Sequence, residues 1–285
     1  MVSMFRDFFF MKKNIGIQGV KGSFHHIVAN SYFGEEISLT EFLSFEEMIS
    51  TLCKDQIDYA VMAIENSTAG SIIPNYALID EYDVNIVGEY YLQIIHNLMA
   101  LKGQSINDIK EVQSHPMALL QCRDFFKKNP NITLVEEKDT AQIAKKIAKN
   151  KILGLGAIAS KLASKIYELN IINDNIQTIK KNQTRFVILQ NNNTIKNDNI
   201  NKASLKFELD HKRGSLATIL NVLSDCKLNL TKIQSMPKIQ TPWRYSFFVD
   251  VTFDKLEYYL KAKSIIEIMA KEFKVLGEYK NSKDD

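Results

Sequence analysis

From residue 14 to about residue 175, short apolar runs of strand length alternate with stretches of helical periodicity. A chain of this kind buries its apolar surface by packing helices against a largely parallel sheet, so an α/β layer structure is predicted. Residues 14–17 read as a strand, followed by the turn Gly19-Val20-Lys21-Gly22-Ser23 and a helix to residue 29. Residues 45–55 carry an amphipathic helical pattern and 59–64 a buried strand. Residues 86–100 have the apolar length of one or two strands that cross between lobes. A helix is predicted over 116–128 and a strand over 132–135. Asp139 is placed to cap a helix over 140–148, and 152–159 leads into a helix ending near 169.

The composition changes after Gln190. Residues 191–199 are Asn-rich, polar and aperiodic, so 191–202 is read as a linker. Beyond it a strand (203–209), a helix (215–226), two strands (228–234 and 245–253), a second helix (256–273) and a last strand (275–279) spell βαββαβ, a ferredoxin-like unit. The expected division is a two-lobed domain over 11–190, the linker, and a second, non-catalytic module over 203–285. Residues 1–10 are read as an extension. They are apolar, but Lys12-Lys13 follows the apolar stretch instead of preceding it, which is the wrong order for a secretion signal.

Bulk properties exclude several classes. A net charge of +3 over 285 residues, with no basic stripe, does not suit nucleic acid. No run is long enough to span a membrane. Cys53, Cys122 and Cys226 are odd in number and lack metal or disulfide spacing, which fits a reducing, cytoplasmic setting.

Four segments could carry chemistry. Gly19-x-x-Gly22-Ser23 lies between a strand and a helix, where backbone amides can hold an anion, or where a tight turn is all that is needed. Ile64-Glu65-Asn66-Ser67 ends a buried strand, the place where open α/β sheets bind ligands, and it also reads as a capping loop. Ser114-His115-Pro116 starts a helix that carries Gln121, and Ser114 could simply cap it. Asn182-Gln183-Thr184-Arg185-Phe186 is the hardest to read as ordinary surface, because the chain has only five arginines, Arg6, Arg123, Arg185, Arg213 and Arg244. An arginine beside a hydroxyl, before an apolar strand, suits capture of a small carboxylate.

In order and spacing these segments, together with Asp139-Thr140-Ala141 and Ala157-Ile158-Ala159-Ser160, resemble prephenate dehydratase, and 203–285 resembles the ACT regulatory domain through Gly214-Ser215-Leu216 and Asn229-Leu230-Thr231. The resemblance implies a type II periplasmic-binding-protein-like catalytic domain with its site in the cleft, and ACT domains that pair and bind phenylalanine. It implies Thr184 as the essential hydroxyl, with Glu65 or His115 as proton source. It also implies Arg185, Phe186, Asn66, Ser67, Ser114, Gln121, Gly22, Ser23 and Phe24 around prephenate, and Gly214, Ser215, Leu216, Asn229, Leu230, Gln234 and Ser235 around phenylalanine. Two positions depart from the pattern. Ala63 stands where proline is frequent, and Gln234-Ser235-Met236-Pro237 lacks the acid and arginine of the usual ACT segment, which bears on how phenylalanine is held.

Prephenate becomes aromatic on losing carbon dioxide and water, so the enzyme needs to supply orientation and a proton for the leaving hydroxyl. No cofactor or metal is expected. A homodimer or homotetramer is implied by the ACT domain. The alternatives are arogenate dehydratase, with the same chemistry on the transaminated substrate, and a non-catalytic sensor built from the same folds.

Overall fold

The computed structural model describes residues 12–191, 199–238 and 244–283. The extension read at 1–10, and most of the linker, lie outside them. Three sheets organise the described residues. The first lobe contains β1 (Asn14–Gln18), α1 (Phe24–Phe33), β2 (Ser38–Phe42), α2 (Phe45–Cys53), β3 (Tyr59–Asn66), the two-residue β4 (Gly70–Ser71), α3 (Ile73–Glu81) and β5 (Asn85–Gln93). The chain then crosses to the second lobe: β6 (Asn97–Ala100), β7 (Glu111–Ser114), α4 (Pro116–Gln121), α5 (Arg123–Lys127), β8 (Thr133–Glu136), α6 (Thr140–Asn150), β9 (Leu155–Ala159), α7 (Lys161–Ile166) and β10 (Asn170–Asn173). It returns as β11 (Gln183–Gln190), which inserts antiparallel between β3 and β5 to give the order β2-β1-β3-β11-β5. The second sheet runs β10-β6-β9-β7-β8.

Two segments therefore connect the lobes, 94–96 outbound and 174–182 on the return. The long apolar stretch 86–100 is split between the sheets, as its length suggested. Local chemistry sets the helix starts: the side chains of Ser23, Ser44, Asp139 and Ser160 each accept a backbone N–H at the start of α1, α2, α6 and α7. The helix expected over 116–128 is broken at Cys122, whose backbone (φ −100°, ψ 11°) leaves the helical region.

The third sheet is antiparallel, in the order β13 (Asn229–Pro237), β14 (Tyr245–Thr252), β12 (Lys202–Glu208), β15 (Glu272–Tyr279). One face packs on α8 (Ser215–Asp225) and α9 (Leu256–Met269) around Phe207, Leu223, Val249 and Tyr259. The second helix ends at Met269, earlier than expected, and residues read as its last turn open the strand β15. The other face lies on the first lobe, where Phe248, Leu276 and Tyr279 share one apolar core with Met62, Ile79, Ile86 and Val187. The approach is close: a Cβ built on Gly277 would sit 2.2 Å from the Ile86 carbonyl oxygen. Among the described residues no helix is long and apolar enough to cross a membrane.

Candidate active site

A cavity of about 370 Å³ opens between the lobes. The first lobe contributes Gln18, Ser23, Phe24, His25, Ala63, Asn66, Thr184 and Phe186. The second contributes His115, Met117, Gln121, Lys138, Asp139 and Thr140, and Ile94 and His96 come from the crossing segment. The N-terminal residues of α1 and α6 both face this space, so the positive ends of two helix dipoles bear on it.

The polar wall of the cavity is an oriented network. The backbone N–H groups of Thr68 and Ala69, which can only donate, bond to Asn66 Oδ1 at 3.0 and 2.9 Å. That fixes which way the Asn66 amide points. Its Nδ2 then donates to Asn182 Oδ1 at 2.7 Å and to Thr184 Oγ1 at 2.9 Å. Thr184 Oγ1 is thus an acceptor toward Asn66, and its hydroxyl can donate to an occupant of the cavity it lines. Asn182 Nδ2 donates to Gln121 Oε1 at 2.9 Å, and Gln121 Nε2 donates to the Thr68 hydroxyl at 3.0 Å. His96 Nε2 lies 2.9 Å from Gln121 Oε1, so it is the protonated ring nitrogen. Burial holds the His96 ring below its ordinary pKa, although its hydrogen bond to Gln121 favours the charged form.

The geometry comes from an irregularity in β3. Arg185 pairs with Glu65, whereas Phe186 pairs with Ala63, so Ile64 is a bulge opposite no partner. The extra residue reverses the facing of the two residues after it. Asn66 joins Ala63 on the cavity side, and Glu65 turns to the opposite face. On β11 ordinary alternation does the rest, sending Thr184 and Phe186 to the cavity and Arg185 away from it.

Several expected site residues therefore serve elsewhere. Arg185 is 3 % exposed and faces the C-terminal sheet. It bonds Glu89 Oε2 at 2.7 Å and the Tyr279 hydroxyl at 2.8 Å, and it pairs with Asp250. Lys202 and Ser204 complete this buried cluster through Glu89 and Asp250. The expectation that Arg185 grips a substrate carboxylate is corrected by this placement. Glu65, expected as a proton source, is bonded by Lys232 at 2.7 Å on the same distal face. Ser114 is buried and donates to the Ile158 carbonyl. Ser67 accepts the Gln183 N–H, and the Gly22 N–H donates to His26 Nδ1, so neither lines the cavity. Ser23 and Phe24 do line it, with Ser23 also capping α1.

His115 accepts the Met117 N–H at its Nδ1, and burial lowers its pKa more than Asp139 and Glu136 raise it. Sequence reasoning missed His25, His96 and Lys138 as lining residues, and gave Asp139 only a capping role. The sequence held one usable signal, because Asp139 falls within a segment matched as Asp139-Thr140-Ala141.

The profile of the family described as prephenate dehydratase matches residues 15–194. The chain belongs to the prephenate dehydratase family. A prephenate dehydratase of Methanocaldococcus jannaschii is 37% identical over 231 residues, covering 79% of this chain and 82% of that protein. An Arabidopsis thaliana protein named arogenate dehydratase/prephenate dehydratase 2, chloroplastic, is 36% identical over 281 residues, 93% of this chain and 72% of that one. The solved prephenate dehydratase of Arthrobacter aurescens in complex with L-Phe superposes with a TM-score of 0.86, covering 95% of this chain and 91% of that chain at 21% identity, a likeness of fold.

In the C-terminal module, Gly214 has φ 84° and precedes α8 directly. Ser215 and Leu216 line a small cavity of about 120 Å³ with Asp210, Arg244 and Tyr245. Asn229, Leu230, Gln234 and Ser235 lie on β13, outside that cavity, and Gln234 Nε2 donates to the Ser235 carbonyl.

Proposed function

We propose that this chain converts prephenate into phenylpyruvate, carbon dioxide and water, and that L-phenylalanine bound at its C-terminal module restrains the reaction. The observation that carries this reading is the Thr184 hydroxyl. Asn66 donates to its oxygen, and the residue lines a cavity between two lobes where the hydroxyl can donate in turn. A threonine hydroxyl is far too weak an acid to give up its proton, but it donates a hydrogen bond that strengthens as charge builds on the departing oxygen. With Arg185 committed elsewhere, Lys138 and the N-terminus of α1 are the groups suited to the two carboxylates. Phe24, Phe186 and Ile94 would shield the ring and exclude water, and Gln121 would fix the network behind Thr184.

The regulatory half of the reading is supported by the Arthrobacter structure's bound L-Phe and by the contact of the C-terminal sheet with β11. We place the protein in the cytoplasm, in keeping with its three unpaired cysteines. Exposed apolar groups on α9, Leu260, Ile268 and Met269, support a homodimer or homotetramer. A second reading, arogenate as substrate, is favoured by the double name of the Arabidopsis relative. Phenylpyruvate formation from prephenate by the purified protein, with and without L-phenylalanine, tests the proposal, and turnover of arogenate alone would replace it with the second reading.

A further inference from the structure

We propose that Asp139 is the acid that protonates the departing hydroxyl group, donating from Oδ2 across the cleft to a substrate seated against Thr184. This rests on the dehydratase reading above and settles the proton source that reading leaves open. Glu65 faces the opposite side of β3 and is held by Lys232. The three histidines of the cavity are all shifted toward the neutral form. Burial drives His25 down to about 3, and it also lowers His96 and His115. A neutral imidazole can donate a hydrogen bond but is a poor acid. Among the described residues, Asp139 supplies the cavity's carboxyl group.

The position of Asp139 suits the task. Its Oδ1 is occupied by the Gln142 N–H at 2.7 Å, which caps α6 and locks the side chain. Oδ2 reaches across to the first lobe beside Gly19, where a Cβ would stand only 2.5 Å from it. Gly19 adopts φ 91°, so the turn is built on a residue that leaves this room. The groups facing the carboxyl are His115 from the start of α4, Glu41 from β2 and Tyr167 after α7, while Lys138, next in the chain, lines the same cavity. Burial, with Glu41 nearby, holds Asp139 above the usual carboxylate range even though the capping N–H groups and His115 oppose it. The acid form is thereby available closer to neutral pH.

The step balances. The carboxyl proton passes to the ring hydroxyl oxygen, and the carbon–oxygen bond breaks with its electron pair leaving as water. The bond to the ring carboxylate breaks, carbon dioxide departs, and that electron pair enters the ring, which becomes aromatic. Asp139, left as the carboxylate, regains a proton from solvent.

The test is steady-state phenylpyruvate formation by the full chain and by Asp139→Asn, across mildly acidic to mildly alkaline pH. Asparagine caps a helix as well as aspartate does, so the fold is kept, and Asp139→Ser serves the same purpose if the first variant fails to fold. The expected result is a kcat lower by about 10²- to 10⁴-fold with KM close to that of the parent. In the parent, kcat falls as pH rises and the acid form is lost, and this limb is absent in the variant. A variant that keeps kcat within about threefold of the parent, a difference below 1 kcal/mol, or that keeps the alkaline limb, overturns the proposal. A parent that makes no phenylpyruvate at all overturns the dehydratase reading and this one with it, which is a different outcome from an active parent matched by its variant.

Discussion

Replacing Arg185 separates a structural role from a substrate-binding one. The cluster around it holds two cations, Arg185 and Lys202, against two carboxylates, Glu89 and Asp250, all but sealed from water. The guanidinium makes contacts to both acids and to Tyr279. Burial alone would push Asp250 up, but Arg185 and the Ser204 hydroxyl beside it hold its carboxyl below the usual carboxylate range. Arg185→Leu leaves Lys202 to serve two buried carboxylates. Breaking a buried pair in this way costs about 3–5 kcal/mol, because the remaining charge stays desolvated without its partner. Against a typical total stability of about 5–15 kcal/mol, that is a large fraction.

The assay is chemical denaturation of the full chain, paired with the KM for prephenate measured where the variant is still folded. The expected result is a large loss of stability with KM changed by less than about threefold, a difference below 1 kcal/mol. Arg185→Lys, which keeps the charge but not the planar fork, should fall between, losing about 1.5–3 kcal/mol for a charge-assisted contact. A variant with unchanged stability and a KM raised about a hundredfold, near 3 kcal/mol of binding, would refute the reasoning and return Arg185 to the substrate.

Three further outcomes are expected. Thr184→Ala should lower kcat by about 10²- to 10³-fold, while Thr184→Ser, which keeps the hydroxyl, should retain most of it in the phenylpyruvate assay. Gly277→Ala forces a methyl group into the Ile86 carbonyl, so thermal unfolding should show a loss of about 1–3 kcal/mol, or roughly 2–4 °C for each, and an unchanged melting temperature would contradict the packing of β15 on β5. His25 is buried with its folded pKa near 3, below its unfolded value of about 6.5, so its contribution to stability is whole above about pH 6.5 and is lost as pH falls toward 3. His25→Leu should flatten the decline of stability in that window when denaturation is measured as a function of pH.

The α/β alternation, the crossing at 86–100 and the βαββαβ order were legible because each rests on periodicity carried by the residues themselves. Short elements were not. β2, β7 and β10 are four or five residues long with mixed burial, and α3 (Ile73–Glu81) has only a weak amphipathic pattern and a proline in its first turn. The segments that build the cavity were also legible, but the faces of their residues were not. Strand alternation predicts a facing only when the register is known, and the bulge at Ile64 exchanges the facings of Glu65 and Asn66. Nothing in the local sequence announces that bulge. Similarly, Arg185 looked like a carboxylate clamp because its carboxylates lie 96 and 65 residues away in the chain.

Adjacency of Thr184 and Arg185 on one strand gives the C-terminal module a short physical route to the cavity. The two side chains leave β11 on opposite faces, one toward the cavity and one toward β14 and β15, with only a peptide bond between them. A ligand that shifts the C-terminal sheet therefore loads the backbone that positions the proposed catalytic hydroxyl. A tenfold loss of activity needs only about 1.4 kcal/mol of misplacement, well within what a buried ion cluster can transmit. Asp250→Asn tests this. It removes the charge that ties Arg185 to β14 while leaving every cavity residue in place. The expected result is kcat within about threefold of the parent when phenylalanine is absent, with inhibition by phenylalanine clearly weakened. Intact inhibition in a stably folded variant would mean that the signal takes another path, for example through the contact of Lys232 with Glu65.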